Sequence, residues 1–187
     1  MVSSYSNFPE TMLTHSQKEY MAGIPENANA DIQPWNPNAA KFAEGLIEKL
    51  EQATGLEIFW GGSLALGILG QNDVDLTLFS ESKDFEKYIQ GVVSILGEPK
   101  YKLIDKILWR TTKDGYRVDA YLGSKNSKGV QSDIFFSNSL KNNPAFLQEY
   151  MSLKKEMGLS AREYYKRKNE FYNKVLTLRH PPFKSGI

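Results

Sequence analysis

Asp73 and Asp75, with a single residue between them in Asn72-Asp73-Val74-Asp75-Leu76-Thr77-Leu78-Phe79, are the residues whose type and spacing say most about what this chain could do. The alternation around them reads as a strand. Successive strand side chains take opposite faces, so the two aspartates project to one side while Val74, Leu76 and Leu78 point into a core. Two neighbouring carboxylates both stay ionised only if a cation lies between them; otherwise one is pushed toward protonation. Hard oxygen ligands, completed by substrate phosphates and water, suit Mg2+, with Mn2+ as the alternative, rather than zinc. The pair therefore implies a phosphate-bearing substrate.

A third carboxylate, Asp119, stands in Tyr116-Arg117-Val118-Asp119-Ala120-Tyr121. Val118 and Ala120 take the inward face, which turns Asp119 the other way. If that strand pairs beside the Asp73 strand, three carboxylates converge in a set suited to two-metal phosphoryl or nucleotidyl transfer, with Asp119 as base or third ligand. Gly61-Gly62-Ser63 adds what such chemistry needs for a triphosphate: glycines that let the backbone approach, and the Ser63 hydroxyl and following amides as donors. Each part also has an ordinary reading. Gly-Gly-Ser is a common turn, Asp-x-Asp can be a solvent-facing strand edge, and Lys102, Arg110 or Arg117 could simply pair with Asp119.

The elements that would position these residues are readable from periodicity. Asn36-Pro37 offers a cap and a first-turn proline, and Phe42, Ala43, Leu46, Ile47 and Leu50 recur at helical spacing, predicting a helix over 37–53. Residues 56–60 form an apolar strand, 64–69 a short helix, and 74–79 the acidic strand. Phe85, Tyr88, Ile89, Val92, Val93 and Leu96 mark an amphipathic helix from Ser82 to Gly97. Strands at 107–111 and 116–122 flank Asp114-Gly115, a hairpin turn pair. Residues 123–132 read as a polar loop. Helices follow from Pro144 to Gly158 and from Ser160, in a capping box with Glu163, to about Leu178 before Pro181-Pro182. The order predicts an α+β fold, a small mixed β-sheet with helices packed on one side, followed by a C-terminal helical part. It divides as a flexible arm over 1–34, a core over 35–123 and a loop with helices over 124–187.

Composition narrows the chemistry further. At 187 residues and 41% hydrophobic content the chain can build a sizeable core. It has no cysteine and only two histidines, His15 and His180, so a His/Cys zinc site is disfavoured. No apolar run could span a bilayer, and there is no basic-then-apolar leader pattern, so a cytoplasmic protein without a membrane partner is expected. The net charge of +1 hides nine basic residues against three acidic ones from Lys154 onward. A basic tail beside an acidic body suggests phosphate binding in one and metal binding in the other, though a solvated lysine-rich face is the plainer reading of such a run alone. RNA binding through that tail is a weaker reading, because no single strand is rich in aromatic residues for stacking.

Taken as an ordered set, Gly62-Ser63 after an apolar strand, Asp73-Val74-Asp75-Leu76 on the next, and Asp119 between apolar residues resemble the three-part signature of the polymerase-β-type nucleotidyltransferase superfamily over about residues 56–122. Trp35-Asn36-Pro37, Leu140-Lys141-Asn142-Asn143-Pro144, Tyr150-Met151-Ser152-Leu153-Lys154, and Tyr164 followed by Lys168 resemble the GrpB-like branch and carry the likeness to about residue 178. The chain departs from that branch at 64–72, which lacks its Val-Pro-Gly and Lys-Pro, at Asp119, where the branch is histidine-rich, and at Ser137-Asn138, in place of an Arg-Asp pair. The resemblance implies a nucleotidyltransferase fold and a Mg2+-dependent transfer of a nucleoside monophosphate, AMP from ATP, to a small-molecule, protein or RNA acceptor. Asp73, Asp75 and Asp119 would be the catalytic and metal residues, and Gly62, Ser63, Lys154 and Lys168 the nucleotide-binding ones. A nucleotide-binding or regulatory module without catalysis would use the same residues.

Overall fold

The computed structural model describes residues 13–155 and 160–179. Along them run α1 (His15–Ala22), α2 (Pro37–Thr54), β1 (Ile58–Gly61), α3 (Gly62–Ala65), β2 (Val74–Phe79), α4 (Phe85–Leu96), β3 (Tyr101–Lys102), β4 (Lys106–Lys113), β5 (Tyr116–Gly123), α5 (Lys128–Asn142), α6 (Pro144–Lys155) and α7 (Ala161–Thr177). The chain divides into two compact units, residues 31–137 and residues 1–30 together with 138–187.

The first unit is an α+β body with a five-stranded mixed sheet in the order β1-β2-β5-β4-β3. β2 and β5 are parallel, and the remaining pairs are antiparallel. One face carries Val74, Leu76, Leu78, Trp109, Val118, Ala120 and Leu122, and α2 and α4 cover it with Ala43, Leu46, Leu50, Ile89 and Val92. This is the expected arrangement of helices on one side of a small mixed sheet, and both helices follow the apolar stripes seen in the sequence. Asn36 caps α2 by accepting from the amides of Asn38 and Ala39. Buried Trp109 keeps its indole satisfied by donating to the Gly97 carbonyl at 3.0 Å. In the β4–β5 hairpin both turn residues, Asp114 and Gly115, have positive φ, as a type I′ turn requires.

Four details depart from the sequence reading. The short helix read over 64–69 is a single turn at Gly62–Ala65, because Gly67 adopts a φ of +69° and stops the helical path. A further edge strand, β3, is only two exposed residues long and leaves no periodic trace. The polar loop at 123–132 gives way at Lys128 to α5. Its start has few apolar residues and is fixed by the Ser127 hydroxyl, which accepts from the Val130 amide at 3.3 Å. Within the segment read as an arm, Thr14 and Gln17 form a capping box and start α1.

The second unit pairs α6 with α7, whose Tyr150 and Phe171 rings stack at 5.3 Å. Gln17 of α1 exchanges amide hydrogen bonds with Asn173 of α7, and the guanidinium of Arg162 donates to the Ile24 carbonyl at 2.7 Å. Ser160 caps α7 through the Glu163 amide, as read from the sequence. Gly158, Pro181-Pro182 and His180 lie outside the described residues. Among the described residues, no helix is long and apolar enough to cross a membrane.

Candidate active site

The carboxylates gather at one end of the sheet because of strand register. Asp75 and Asp119 are direct partners on the parallel strands β2 and β5, which sets their backbones about 4.8 Å apart. Both lie on the face opposite the core, since Val74, Leu76, Val118 and Ala120 are all buried on the other side. Asp73 comes just before β2 rather than within it. Its place is set by Asn72, which adopts a φ of 57°, accepts from the Asn36 amide at 3.1 Å and donates to the Pro34 carbonyl at 3.0 Å. A strained residue held by two hydrogen bonds just before a carboxylate is a positioning device.

The Gly-Gly-Ser turn meets the acidic strand directly. Gly61 is the register partner of Asp75. At Gly62, φ is +75°, and an added Cβ would run into Oδ2 of Asp75 and stand 3.0 Å from its Cγ. The Asp75 carboxylate therefore occupies the space that only a glycine leaves open. Ser63 follows in the one-turn α3, and the Trp35 indole donates to the Leu64 carbonyl at 3.0 Å. The segment before α2 thus holds both sides of the site, through the Trp35 indole on Leu64 and through the Asn36 amide and Pro34 carbonyl on Asn72.

Two arginines complete the cluster. Arg110 donates from Nε and Nη2 to the two carboxylate oxygens of Asp119, both at 2.8 Å. Arg117 brings Nη2 to 3.4 Å from Asp119 and 3.5 Å from Asp73. The Asp119 side chain is 8% exposed, whereas those of Arg110 and Arg117 are 40% and 44% exposed. Burial lowers the pKa of Arg117, but Asp73 and Asp119 outweigh it and raise the pKa overall, so its charge is secure. Tyr121, two residues beyond Asp119 on the same face, has its pKa raised by burial first and by Asp119 second.

Arg110 thus pairs with Asp119, and Arg117 reaches both Asp119 and Asp73. Asp73 and Asp75, one just before β2 and one within it, fit a hard divalent cation by the chemistry of their oxygen donors. Asp119 as it stands faces Arg110 with both oxygens. Among the described residues, no three His, Cys, Asp or Glu side chains form a metal-holding group.

The sequence reading named Arg110 and Arg117 only as ordinary partners for Asp119. The signal for the bidentate pair was nevertheless present. Counting back from the two-residue Asp114-Gly115 turn pairs Lys113 with Tyr116 and so Arg110 with Asp119, as observed.

Lys154 and Lys168 belong to the helical unit. Lys154, on α6, is only 2% exposed, with Nζ 4.6 Å from the Tyr150 ring centroid. Lys168, on α7, is half-buried, with Nζ 5.6 Å from the Tyr165 ring centroid. Burial raises the pKa of Tyr164, and the Lys168 charge opposes that shift. The two lysines therefore border one group of tyrosines on α6 and α7.

No protein-family model matches the chain, and no curated protein does. Solved structures do match. One is a cytoplasmic RNA terminal U-transferase, at a TM-score of 0.47 and 16% identity over 74% of this chain and 43% of that one. Another is the Cid1 poly(U) polymerase with Mg and 3′-dATP bound, at 0.43 and 16% over 80% of this chain and 52% of that one. The chain thus spans about half the length of these proteins. The GrpB-like resemblance rests on the sequence motifs alone.

Proposed function

We propose that this chain is a Mg2+-dependent nucleotidyltransferase of the polymerase-β type, GrpB-like in its C-terminal part, that moves AMP from ATP to a hydroxyl or phosphate acceptor in the cytoplasm. The observation that carries this reading is the pairing of Asp75 with Asp119 on adjacent parallel strands, with the Asp75 carboxylate seated over Gly62. In this reading residues 35–123 are the catalytic core, 124–187 supply further phosphate contacts, and 1–34 are an arm.

Asp73 and Asp75 would hold the magnesium, which supplies Lewis-acid activation of the acceptor oxygen and neutralises charge on the departing pyrophosphate. Gly62 and Ser63 bring backbone and hydroxyl donors to the phosphate chain. The acceptor oxygen bonds to the α-phosphorus as the bond to pyrophosphate breaks, and once Arg110 has moved away Asp119 takes the acceptor's proton, or serves as third ligand while the proton passes to water. Tyr121, neutral at physiological pH, keeps a hydroxyl donor beside Asp119. Lys154 and Lys168 enter this reading as phosphate-binding residues through the sequence resemblance alone.

The engagement of both Asp119 oxygens by Arg110 favours a second reading, a regulatory module that binds nucleotide without transfer. In either case ATP with magnesium raises the melting temperature, and Ser63→Ala reduces the shift. Only the enzyme yields a product. Incubating the protein with nucleoside triphosphates and cell extract, then identifying a nucleotidylated small molecule, protein or RNA by mass spectrometry, separates the two; equal melting shifts with and without magnesium contradict both.

A further inference from the structure

We infer that Arg110 and Arg117 form a phosphate-binding pair, and that in the ligand-free protein the Asp119 carboxylate occupies it as an internal stand-in. A guanidinium fork takes a carboxylate and a phosphate with the same two parallel N–H donors. Arg110 makes that two-point contact with Asp119 at 2.8 Å for each oxygen. Arg117 adds a longer contact to Asp119, shared with Asp73. The carboxylate is almost fully enclosed while both arginines keep about two-fifths of their side-chain surface open, so an incoming anion meets the arginines before it meets Asp119.

The register explains why the two arginines act together. Arg110 is opposite Asp119 across the hairpin, and Thr112, on the same face of β4, is opposite Arg117. Both arginines therefore stand on the same face as Asp119, Arg110 across from it on β4 and Arg117 two residues before it on β5. A phosphate with two or more charged oxygens can engage both, whereas Asp119 offers Arg117 only the longer contact. When phosphate takes the arginines, Asp119 loses its counter-charge beside Asp75. The cluster's net charge becomes more negative, and a divalent cation binds it more tightly. Phosphate and metal binding are then coupled, each strengthening the other by the same factor.

The inference rests on the transfer reading only for the origin of the phosphate, the donor nucleotide or a phosphorylated acceptor. Inorganic pyrophosphate is the probe, with calorimetry for its affinity and electron paramagnetic resonance for bound Mn2+. In wild-type protein pyrophosphate should bind without metal and tighten Mn2+ binding several-fold. Arg110→Gln and Arg117→Gln should each weaken pyrophosphate about 10-fold, and Lys106→Gln, at the far end of β4, should leave it unchanged. Asp119→Asn, which removes the internal competitor, should strengthen it. Wild-type affinity in both arginine variants overturns the inference, and so does a loss in Asp119→Asn as large as that in Arg110→Gln, because Asp119 would then be orienting the arginines rather than competing with phosphate. A non-hydrolysable ATP analogue that competes with pyrophosphate assigns the site to the donor; simultaneous binding assigns it to the acceptor. The transfer reading is tested apart from this by Mn2+ binding to Asp75→Asn without phosphate: retained Mn2+ would refute that reading while leaving the arginine pair to stand or fall on the pyrophosphate data.

Discussion

Replacing Gly62 by alanine separates backbone strain from site geometry, because Gly67 provides a matched control five residues along. The two glycines have φ of +75° and +69°, and an added Cβ meets Asp75 at the first but nothing within 4 Å at the second. Placing alanine in the left-handed region costs about 1–2 kcal/mol at either position, which corresponds to a melting-temperature loss of about 2–8 °C for a chain of this size. The two variants should therefore be destabilised by similar amounts in chemical denaturation, with Gly62→Ala slightly worse. Their sites should differ much more. The Asp75 carboxylate is the far end of a movable side chain and can rotate away from the new methyl, but in doing so it leaves the place beside Asp73. Losing the support of a metal ligand typically lowers affinity about 10-fold or more, so Gly62→Ala should lose that much Mn2+ affinity and Gly67→Ala almost none. Equal Mn2+ affinity in the two variants would refute the claim that Gly62 exists to seat Asp75.

Two further outcomes follow from the helical unit. Tyr164 has its pKa raised by burial, so the folded protein resists ionisation that the unfolded chain undergoes above about pH 10. Its contribution is intact below that pH and is lost as pH rises further. Denaturation midpoints measured from pH 8 to 11 should fall at the alkaline end, and Tyr164→Phe should flatten the fall; an unchanged slope contradicts this. Lys168→Ala should raise the Michaelis constant for ATP or lower turnover, while exposed Lys166→Ala should change neither; identical behaviour of the two variants removes Lys168 from the nucleotide site.

Much of the body was legible because local rules and packing agree in it. The stripe from Phe42 to Leu50, the alternation through Val74, Leu76 and Leu78, and the Asp114-Gly115 turn each have one structural solution, and those elements appear where periodicity puts them. α5 was not legible, since its first turns, Lys128-Gly129-Val130-Gln131-Ser132-Asp133, have no continuous apolar stripe and depend on the Ser127 cap. The two-residue β3 is too short for any pattern to show. At the site, the side on which Asp75 and Asp119 project was readable from alternation alone, whereas Asp73 lies outside the strand and is placed by Asn72, and the meeting of Asp75 with Asp119 required the parallel pairing of β2 with β5, a contact between strands more than 40 positions apart. Trp35 and Asn72 were invisible as positioning residues for the same reason. Their partners, Leu64 and the Pro34–Asn36 backbone, become neighbours only after the chain has folded.

The most direct test of the central claim follows label from the α-phosphorus of ATP in the presence of magnesium and cell extract, comparing wild-type protein with Asp75→Asn. Removing that carboxylate takes a charged ligand from the metal and relieves repulsion with Asp119, so the variant should match or exceed wild-type stability. Wild-type protein should transfer the label to an acceptor with release of pyrophosphate, and the folded variant should transfer none; transfer at the wild-type rate by Asp75→Asn, or release of the γ-phosphate in place of pyrophosphate, would contradict the account.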